Sequence, residues 1–419
     1  MKILVIGTAG REHALAWKLA QSPKATLVYT SVMAAASLEQ GGKIKFNPAD
    51  ISTNDKVIAF CQAEAIDLVV IGPEAPLAAG LADALRQVGI KVFGAVKAGA
   101  MLESSKEYSK KFMDKYFIPT AAYKSFTDAD EALKYIETLT PPIVIKADGL
   151  AAGKGVNICL SKENAAKTIN DFMVEGVFGG SGSKVVVEEF LEGREASIIA
   201  FIDGDTYKTM PVSRDHKRLL DGDLGPNTGG MGVYSPVLDI TEEDIDFIRE
   251  HVFDKAIKGL KAEGVDYCGI LYAGIMKGPK GINVLEFNAR SGDPETQAIL
   301  PLLEQDLLEL ILACVNKNLK DFALSAINKT SVCITLAGRD YPVSGSKGLE
   351  ITGLDKVQDV LVFHAGTKLE NGKTYTNGGR VLSVVALGEN LADARQKAYA
   401  EIAKINFDGM QYRRDIGEE

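Results

Sequence analysis

The chain has 419 residues, which is more than one compact core usually holds and suits two or three domains. Its composition, 46% hydrophobic and 25% charged, is that of an ordinary globular protein and excludes disordered and collagen-like classes. A formal charge of −9 gives no global attraction to nucleic acid or to an anionic membrane, so we expect neither as a partner.

Cysteine usage and the apolar runs predict a cytoplasmic protein. The five cysteines are scattered and never in C-x-x-C spacing, so we interpret them as reduced and structural. The first residues, MKILVIG, turn into glycine without the longer apolar stretch and cleavage site of a signal peptide. No run reaches the ~18 apolar residues of a membrane span.

The first hundred residues predict a doubly wound α/β domain. Residues 3–6 have the pattern of a buried parallel strand, and a short loop leads from them into a helix expected at about 11–21. Further buried strands are predicted at 66–71 and 91–94. We place this domain at residues 1–102 and expect ligands at the carboxyl ends of its strands.

The middle of the chain predicts a helix followed by a small lobe. Apolar residues at helical spacing indicate a helix over 101–116, which a proline at 119 ends. Strands expected at 143–145 and 184–188 fit a small α/β lobe at about 120–190.

The last part of the chain is rich in short strands. These are predicted at 332–336, 361–364 and 381–387, with glycine turns between them. The expected domains are therefore 1–102, a middle domain at 103–326 that contains the small lobe, and a β-rich domain at 327–419.

A lysine- and glycine-rich segment, KADGLAAGKGV, begins at Lys146 and follows a predicted strand. Bare backbone N–H groups of such a loop can surround phosphates while a lysine supplies charge. It is not a Walker motif, because Asp148 and Gly155 stand where glycine and Ser or Thr are required. From this segment alone, a phosphate loop and a plain β-turn both remain open.

Two further segments carry carboxylates. The run VVVEEFLEGRE from Val185 ends a strand in an acidic turn, which suits either adenosine contacts or solvation. In LEFNAR, strand alternation places Glu286, Asn288 and Arg290 on one face. Oxygen donors beside a cation suit Mg²⁺ on ATP phosphates, and the following G-D-P-E-T turn favours a site there over a solvated face.

Residues 213–236 are rich in Gly, Pro, Asp and Asn and are too long for an ordinary turn. Long ordered loops are often functional, so we expect substrate contacts in this loop. Its charged and glycine residues could order over an anion and exclude water. His216 is interpreted as a hydrogen-bonding residue rather than a catalytic base.

Taken together, the motifs resemble the glycinamide ribonucleotide synthetases, or phosphoribosylamine–glycine ligases, of the ATP-grasp superfamily. The resemblance covers nearly the whole chain. It rests on GREHA at 10–14, GPEAPL at 72–77, ESSK at 103–106, the KADGLAAGKGV segment, EEFLEGREAS, DHKR, GPNTGGMGVYSP, LEFNAR, GDPETQ, FHAGTK and TNGGRVL.

The resemblance implies an α/β ATP-grasp fold with the N-terminal doubly wound and C-terminal β-rich domains described above. It implies an ADP-forming ligase of purine biosynthesis that joins glycine to phosphoribosylamine through an acyl phosphate, with ATP and Mg²⁺ or Mn²⁺ as cofactors. The partners would be a small-molecule amine and an amino acid, and the protein a monomer or homodimer.

The resemblance also implies roles for particular residues. ATP would contact Lys106, Lys146, Gly149, Gly153, Lys154, Gly155, Glu188, Glu189, Leu191 and Glu195. The metal would be held by Glu286 and Asn288. Catalysis at the substrates would involve Arg290, Asp215, Lys217 and Asp293.

The departures from the family pattern lie on the substrate side. Ala9, Ala95 and Ser291 replace usual family residues, and the P-G-N-x-G loop is replaced by TSVMAAA at 30–36. Alanines restrict the positive-φ conformations that let N–H groups converge on a phosphate. An alternative hypothesis is therefore a paralogue that joins an amino acid to a different amine. A nucleotide-binding scaffold without catalysis is a third, which the retained polar set disfavours.

Overall fold

The computed structural model describes residues 1–32, 42–151 and 155–418. Its N-terminal region is built from β1 (Lys2–Ile6), α1 (Gly10–Ala20), β2 (Leu27–Thr30), β3 (Ile44–Phe46), α2 (Asn54–Glu64), β4 (Leu68–Ile71), α3 (Glu74–Ala78), α4 (Leu81–Gln87) and β5 (Lys91–Phe93). The strands pair in parallel in the order β3-β2-β1-β4-β5. The predicted doubly wound α/β architecture is confirmed. The carboxyl end of β5 contacts the middle region of the chain, where the Gly94 N–H donates to the Cys268 carbonyl at 3.2 Å.

The single helix predicted over 101–116 is wrong. Two helices, α5 (Lys97–Ser104) and α6 (Lys106–Lys115), meet at Ser105. The backbone of Ser105 is extended, and its hydroxyl accepts a hydrogen bond from the Tyr108 N–H at 3.1 Å, so it caps α6. The apolar spacing continued through this break, which is why periodicity alone did not reveal it.

Two sheets make up the middle of the chain. The small lobe contains β6 (Tyr123–Phe126), α7 (Ala129–Ile136), β7 (Ile143–Ala147), β8 (Val156–Cys159), α8 (Lys162–Ile169) and β9 (Val185–Glu189). Its antiparallel sheet has the order β6-β9-β7-β8 and encloses a core of its own, which includes Phe126, Ile145 and Phe172. Hydrophobic burial thus stabilises this lobe separately from the two larger cores.

The larger part of the middle region carries long antiparallel strands. Its elements are β10 (Arg194–Ile202), β11 (Tyr207–Thr209), β12 (Arg214–Asp215), β13 (Arg218–Leu220), β14 (Leu224–Asn227), β15 (Gly232–Ser235), α9 (Glu242–Ile248), α10 (Asp254–Ala262), β16 (Gly269–Gly278), β17 (Gly281–Asn288), α11 (Glu295–Ile299) and α12 (Leu307–Val315). These strands include a sheet with the order β11-β10-β16-β17. It contacts the small lobe where Lys146 of β7 donates to the Leu285 carbonyl of β17.

The prediction that residues 213–236 form a loop is wrong, because most of them lie in β12 to β15. β13 and β14 form a hairpin, and β15 pairs with residues 331–334 of the C-terminal region. Gly, Pro, Asp and Asn are uncommon in strands, so local composition did not indicate them.

The C-terminal region is β-rich, as predicted. It contains β18 (Thr330–Ala337), β19 (Ser346–Ile351), β20 (Leu361–His364), β21 (Thr367–Glu370), β22 (Lys373–Gly378), β23 (Arg380–Gly388) and α13 (Leu391–Ile402). One sheet has the order β12-β15-β18-β23-β20, so two strands from the middle region belong to it. Within the described ranges, no helix has the length and apolar character needed to cross a bilayer.

The N- and C-terminal regions meet at a buried pair of histidines. The His364 backbone N–H donates to Nδ1 of His13 at 2.8 Å. Burial lowers the pKa of His364 from 6.5 to about 4. The neutral imidazole therefore contributes stability that is fully present above pH 6.5 and is lost as the pH falls toward 4.

We expect His364→Gln to weaken the acid sensitivity of the fold. The titration of His364 should cost about 2 kcal/mol of unfolding free energy between pH 7 and pH 5, and the variant should lack that part of the loss. Denaturant unfolding at both pH values measures it, with His251→Gln, which lies outside this interface, as the control. Equal pH dependence in wild type and His364→Gln would contradict the assignment.

Candidate active site

A cavity of about 1010 Å³ lies where the N-terminal region, the small lobe and the β11-β10-β16-β17 sheet meet. It is lined by nearly all the sequence-predicted site residues that the structure describes, namely Lys106, Lys146, Gly155, Glu188, Glu189, Leu191, Glu195, Asp215, Lys217, Glu286, Asn288, Arg290 and Asp293. Gly149 lies beside the cavity rather than in its wall. Gly153 and Lys154 lie outside the described residues.

A cluster of buried lysines forms one end of the cavity. The Nζ of Lys146 lies 3.0 Å from the Glu188 carboxylate, and the Nζ of Lys110 lies 2.9 Å from it. The Lys146 ammonium also donates to the Leu285 carbonyl at 3.0 Å. Burial lowers the pKa of Lys110 to about 8 although Glu188 acts against it, and burial also lowers that of Lys106. Concentrated positive charge of this kind is a site for an anion.

The glycine-rich segment lies next to this cluster. A Cβ at Gly149 would lie 2.4 Å from Oγ of Ser181 and 2.9 Å from its Cα, so glycine is required for this close approach. Asp148 caps the neighbouring α6 by accepting from the Glu107 N–H at 2.7 Å. The segment is thus tied to the helix that carries Lys106 and Lys110.

An apolar slot adjoins the lysines. Ala121, Leu191 and Met276 form a small buried cluster, against which Leu285 packs. Both faces of a flat ring could be covered by these side chains, as ligand pockets for heterocycles require. The family resemblance implied a role for Leu191. Met276 and Leu285 were missed, because isolated apolar residues in strands usually indicate only a core.

Glu189 and Glu195 lie at the rim of the cavity. Glu189 accepts from the Ala122 N–H at 3.1 Å and pairs with Lys280 at 2.7 Å. Glu195 pairs with Lys217 at 2.8 Å. Both carboxylates are partly exposed, which leaves them accessible to a ligand.

Glu286 and Asn288 lie side by side on β17. The Asn288 amide donates to Oε1 of Glu286 at 3.4 Å. Burial would raise the pKa of Glu286, but Lys217, Lys146 and Lys106 outweigh it and hold the pKa below its usual value. The carboxylate is therefore ionised. Two adjacent oxygen donors at the lysine cluster fit a Mg²⁺ or Mn²⁺ ion, which commonly takes its other ligands from phosphates and water.

Arg290 follows the end of β17 and is held by carboxylates from the N-terminal half. Its Nε lies 3.1 Å from Glu103 and 3.3 Å from Glu74. Desolvation acts to lower the pKa of Arg290, but these carboxylates more than offset it, and the pKa is raised. The guanidinium is thereby fixed beside Asn288, whose side-chain oxygen is 3.5 Å from its Nη2.

Two carboxylates of the site, Asp215 and Glu295, lie close to Arg380. Oδ1 of Asp215 has no hydrogen-bond partner among the described residues. Burial, and then the charge of Glu295, raise the pKa of Asp215 well above its usual value, although Lys217 and Arg380 oppose this. The Tyr272 hydroxyl donates to Oε1 of Glu295 at 3.0 Å. Such a carboxylate binds a proton more readily than that of a free aspartate.

Asp293 is anchored by Arg380 from the C-terminal sheet. The pair is 2.9 Å apart, and Arg380 also donates to the Asp293 carbonyl and to the Gly229 carbonyl, both at 2.6 Å. Burial would raise the pKa of Asp293, but Arg380 and other cations lower it. Arg380 therefore ties the G-D-P-E-T turn to the segment after β14.

Two of the sequence departures act through the backbone. Ala9 has an extended backbone that any residue adopts, and its N–H donates to Glu12 at 2.8 Å. Glycine is required instead at position 72, because a Cβ there would lie 2.0 Å from the Glu12 carboxylate. Ser291 contributes its carbonyl, which accepts from Arg11 at 3.0 Å. The side chains of Ala9 and Ser291 therefore take no part in these two contacts.

The altered TSVMAAA loop is described only as far as residue 32. Thr30 is buried, and its Oγ1 accepts from the Val32 N–H at 3.2 Å. Residues 33–36, on which the predicted loss of phosphate binding depends, lie outside the described residues.

Some functional candidates were missed in the sequence. Lys110 is one helical turn after Lys106 on α6, a spacing that places both on one face and could have revealed it. Glu103 stands in the quoted ESSK motif and Arg380 in TNGGRVL, yet neither motif predicted a partner. Their partners, Arg290 and Asp293, are distant in sequence, so contact followed only from the fold.

Fold and site together define the class of protein. A cavity between two antiparallel sheets combines a lysine cluster, an apolar slot and an ionised carboxylate–amide pair, and the family model for the phosphoribosylglycinamide synthetase ATP-grasp (A) domain matches residues 104–296. The chain is an ATP-grasp enzyme, an ADP-forming carbon–nitrogen ligase that uses ATP and a divalent metal ion.

The flanking regions identify the family. The models of the phosphoribosylglycinamide synthetase N and C domains match residues 1–103 and 331–419. The chain belongs to the phosphoribosylglycinamide synthetase family.

Proteins of known name are similar to this chain over nearly its whole length. It is 47% identical to phosphoribosylamine–glycine ligase of Neisseria meningitidis serogroup A, with 100% of this chain and 99% of that protein covered. The trifunctional purine biosynthetic protein adenosine-3 of Gallus gallus is 49% identical over 99% of this chain, which spans 42% of that longer protein. The crystal structure of phosphoribosylamine–glycine ligase from Thermotoga maritima superposes with a TM-score of 0.87 at 36% identity, covering 99% and 100% of the two chains.

Proposed function

We propose that the chain joins glycine to phosphoribosylamine, forming glycinamide ribonucleotide, ADP and phosphate in purine biosynthesis. The observation that carries this proposal is the single cavity in which the lysine cluster, Glu286 with Asn288, Arg290 and Asp215 all meet. The full-length relatives support this activity rather than that of a paralogue with another amine.

ATP is assigned to the half of the cavity nearest the small lobe. Its adenine would lie in the slot of Leu191, Met276 and Leu285. The phosphates would face Lys106 and Lys146, beside the glycine-rich segment. Glu188 serves this end indirectly, because its carboxylate fixes Lys146. Glu189 and Glu195 would contact the adenosine from the rim.

Glu286 and Asn288 would hold the metal ion, which supplies charge neutralisation at the transferring phosphoryl group when bound. The choice between Mg²⁺ and Mn²⁺, the monomeric or dimeric state and the cytoplasmic location stay predictions.

The first step is attack of a glycine carboxylate oxygen on the γ-phosphorus, which breaks the bond to the β-phosphate oxygen and releases ADP. Lys106 and Lys146 stabilise the charge on the phosphoryl oxygens. Arg290, fixed by Glu103, holds the carboxylate and then the acyl phosphate.

In the second step the amine attacks the acyl carbon and phosphate leaves. The amine must lose a proton, and Asp215 is placed to accept it, because its Oδ1 is unpaired among the described residues and its raised pKa makes the carboxylate a stronger base than that of a free aspartate. Asp293 and Lys217 border this end of the cavity and orient the substrates.

Lys146→Ala should raise the KM for ATP and lower kcat, because it removes a buried charge from the phosphate end. A lost charge-assisted contact of about 1.5–3 kcal/mol corresponds to roughly a tenfold to hundredfold fall in kcat/KM. Steady-state ADP release measures this. Lys111→Ala is the charge-matched control, since the Lys111 side chain is 66% exposed and does not line the cavity. Equal kinetic constants for the two variants would show that Lys146 does not bind the ATP phosphates.

An ADP-release screen over amino acids and amines tests the proposed substrates. We expect turnover to require both glycine and phosphoribosylamine. Faster turnover with an unphosphorylated amine would favour the paralogue hypothesis and would direct attention to the TSVMAAA loop.

A further inference from the structure

The hairpin of β13 and β14 has little apolar support. It forms a separate two-stranded sheet in the part of the chain that the structure describes. Leu220 and Leu224 are 49% and 63% exposed. Gly222 and Asp223 at its turn both have positive φ. Since hydrophobic burial does not hold it, the position of this hairpin depends on polar contacts.

Those contacts come from the C-terminal segment, residues 411–418. The buried Arg413 guanidinium donates to Asp223 at 2.7 Å and to the Arg218 carbonyl at 3.2 Å. It also makes a two-pronged pair with Asp415 at 2.7 and 2.6 Å. Forked arginine contacts of this kind fix both distance and orientation.

Two further bonds join the same segments. The Gly222 N–H donates to Asp415 at 2.8 Å, and the Arg414 N–H donates to Asp221 at 2.7 Å. The turn of the hairpin is thus also held by the two residues that follow Arg413. The Arg413 side chain is 2% exposed.

The base of the hairpin leads directly into the active site. The Lys217 carbonyl accepts from the Thr228 N–H and from the Thr228 hydroxyl, both at 2.8 Å. Lys217 pairs with Glu195 at 2.8 Å. Gly222, Asp223, Arg413 and Asp415 themselves line the cavity. A displaced hairpin would therefore move Lys217 and open one wall of the cavity.

We propose that Arg413, through Asp223 and Asp415, is a positioning residue that holds the 218–227 hairpin over the cavity and so fixes Lys217 for the reaction. The inference rests on the proposed function, but its physical part, the tether of the hairpin, can be measured without activity.

Arg413→Gln tests the tether, and Arg414→Gln is the matched control. Arg414 is the next residue, its side chain is exposed, and its loss changes the net charge equally. We expect Arg413→Gln to lower kcat by on the order of tenfold to a hundredfold, because the hairpin that forms one wall of the cavity is misplaced. The KM for ATP should change by less than about threefold. Limited trypsin digestion followed by mass spectrometry should show faster cleavage after Arg218, within the hairpin. Arg413→Lys should recover part of the rate.

Asp223→Asn provides a second variant in case Arg413→Gln does not fold. The Asp223 side chain is 72% exposed, so its loss tests the same ion pair without opening a buried site. Faster cleavage after Arg218 together with reduced kcat in Asp223→Asn supports the proposal. Wild-type cleavage and kcat in Asp223→Asn, or Arg413→Gln kinetics equal to those of Arg414→Gln, overturn it. An inactive wild-type enzyme would instead contradict the proposed function, while the cleavage result would still decide the tether.

Discussion

Glu286→Gln and Asn288→Ala should each lower kcat by on the order of a hundredfold to a thousandfold, the usual cost of removing a preorganised stabiliser of transition-state charge. Each change removes an oxygen ligand or alters its charge while keeping the strand. Glu286 is held ionised by Lys217, Lys146 and Lys106, so the neutral amide also leaves those lysines without their carboxylate. Both steps of the reaction should fail together, because phosphoryl transfer precedes amide formation.

Asn283→Ala is the control for this pair. Asn283 is on the same strand, β17, but does not line the cavity. We expect its turnover to match wild type. Steady-state rates at saturating Mg²⁺, with circular dichroism to confirm folding, measure the effect. Near-normal turnover of folded Glu286→Gln would show that the metal is held elsewhere.

Asp215→Asn should separate the two steps. Loss of a general base costs on the order of a hundredfold to ten-thousandfold, and here the loss should fall on amine transfer alone. Acyl phosphate formation should continue, because the charges that act most strongly on Asp215 are those of Glu295, Lys217 and Arg380 rather than those of the lysine cluster. Hydroxylamine, a strong nucleophile that is neutral at pH 7, should therefore still trap glycyl phosphate as the hydroxamate.

The pH profile of amine transfer gives an independent check on Asp215. Burial and Glu295 raise the pKa of Asp215, so the wild-type rate should fall as the pH drops below that raised pKa and the carboxylate becomes protonated. The Asn variant should lack this acid limb. A hydroxamate yield that falls as far as amide formation would contradict the separation, since Asp215 would then be needed for phosphoryl transfer.

Local pattern in the sequence was enough to predict that some residues of the candidate site lie together. Strand alternation placed Glu286 and Asn288 on one face, and both lie together in the cavity wall. Buried runs predicted the parallel N-terminal strands, because strands covered on both faces are continuously apolar. The ATP-grasp fold was predicted from the family resemblance, because composition and periodicity alone do not indicate it.

The ion pairs that could not be predicted from the sequence join segments that are far apart in the chain. The ion pair of Arg380 with Asp293 joins residues 87 positions apart, and that of Arg413 with Asp223 joins residues 190 apart. Neither spacing has a periodic signal. The hairpin of β13 and β14 was missed for another reason: its residues favour turns, and polar tethers rather than apolar alternation hold it in place.

The most direct test of the central claim follows an oxygen atom. Glycine labelled with ¹⁸O in both carboxylate oxygens is incubated with ATP, Mg²⁺, phosphoribosylamine and the purified protein. If the carboxylate is activated as an acyl phosphate, each glycinamide ribonucleotide formed should be accompanied by one ADP and one phosphate carrying a single ¹⁸O, with the second ¹⁸O retained in the amide. Unlabelled phosphate, or ADP release without glycinamide ribonucleotide, would contradict the account.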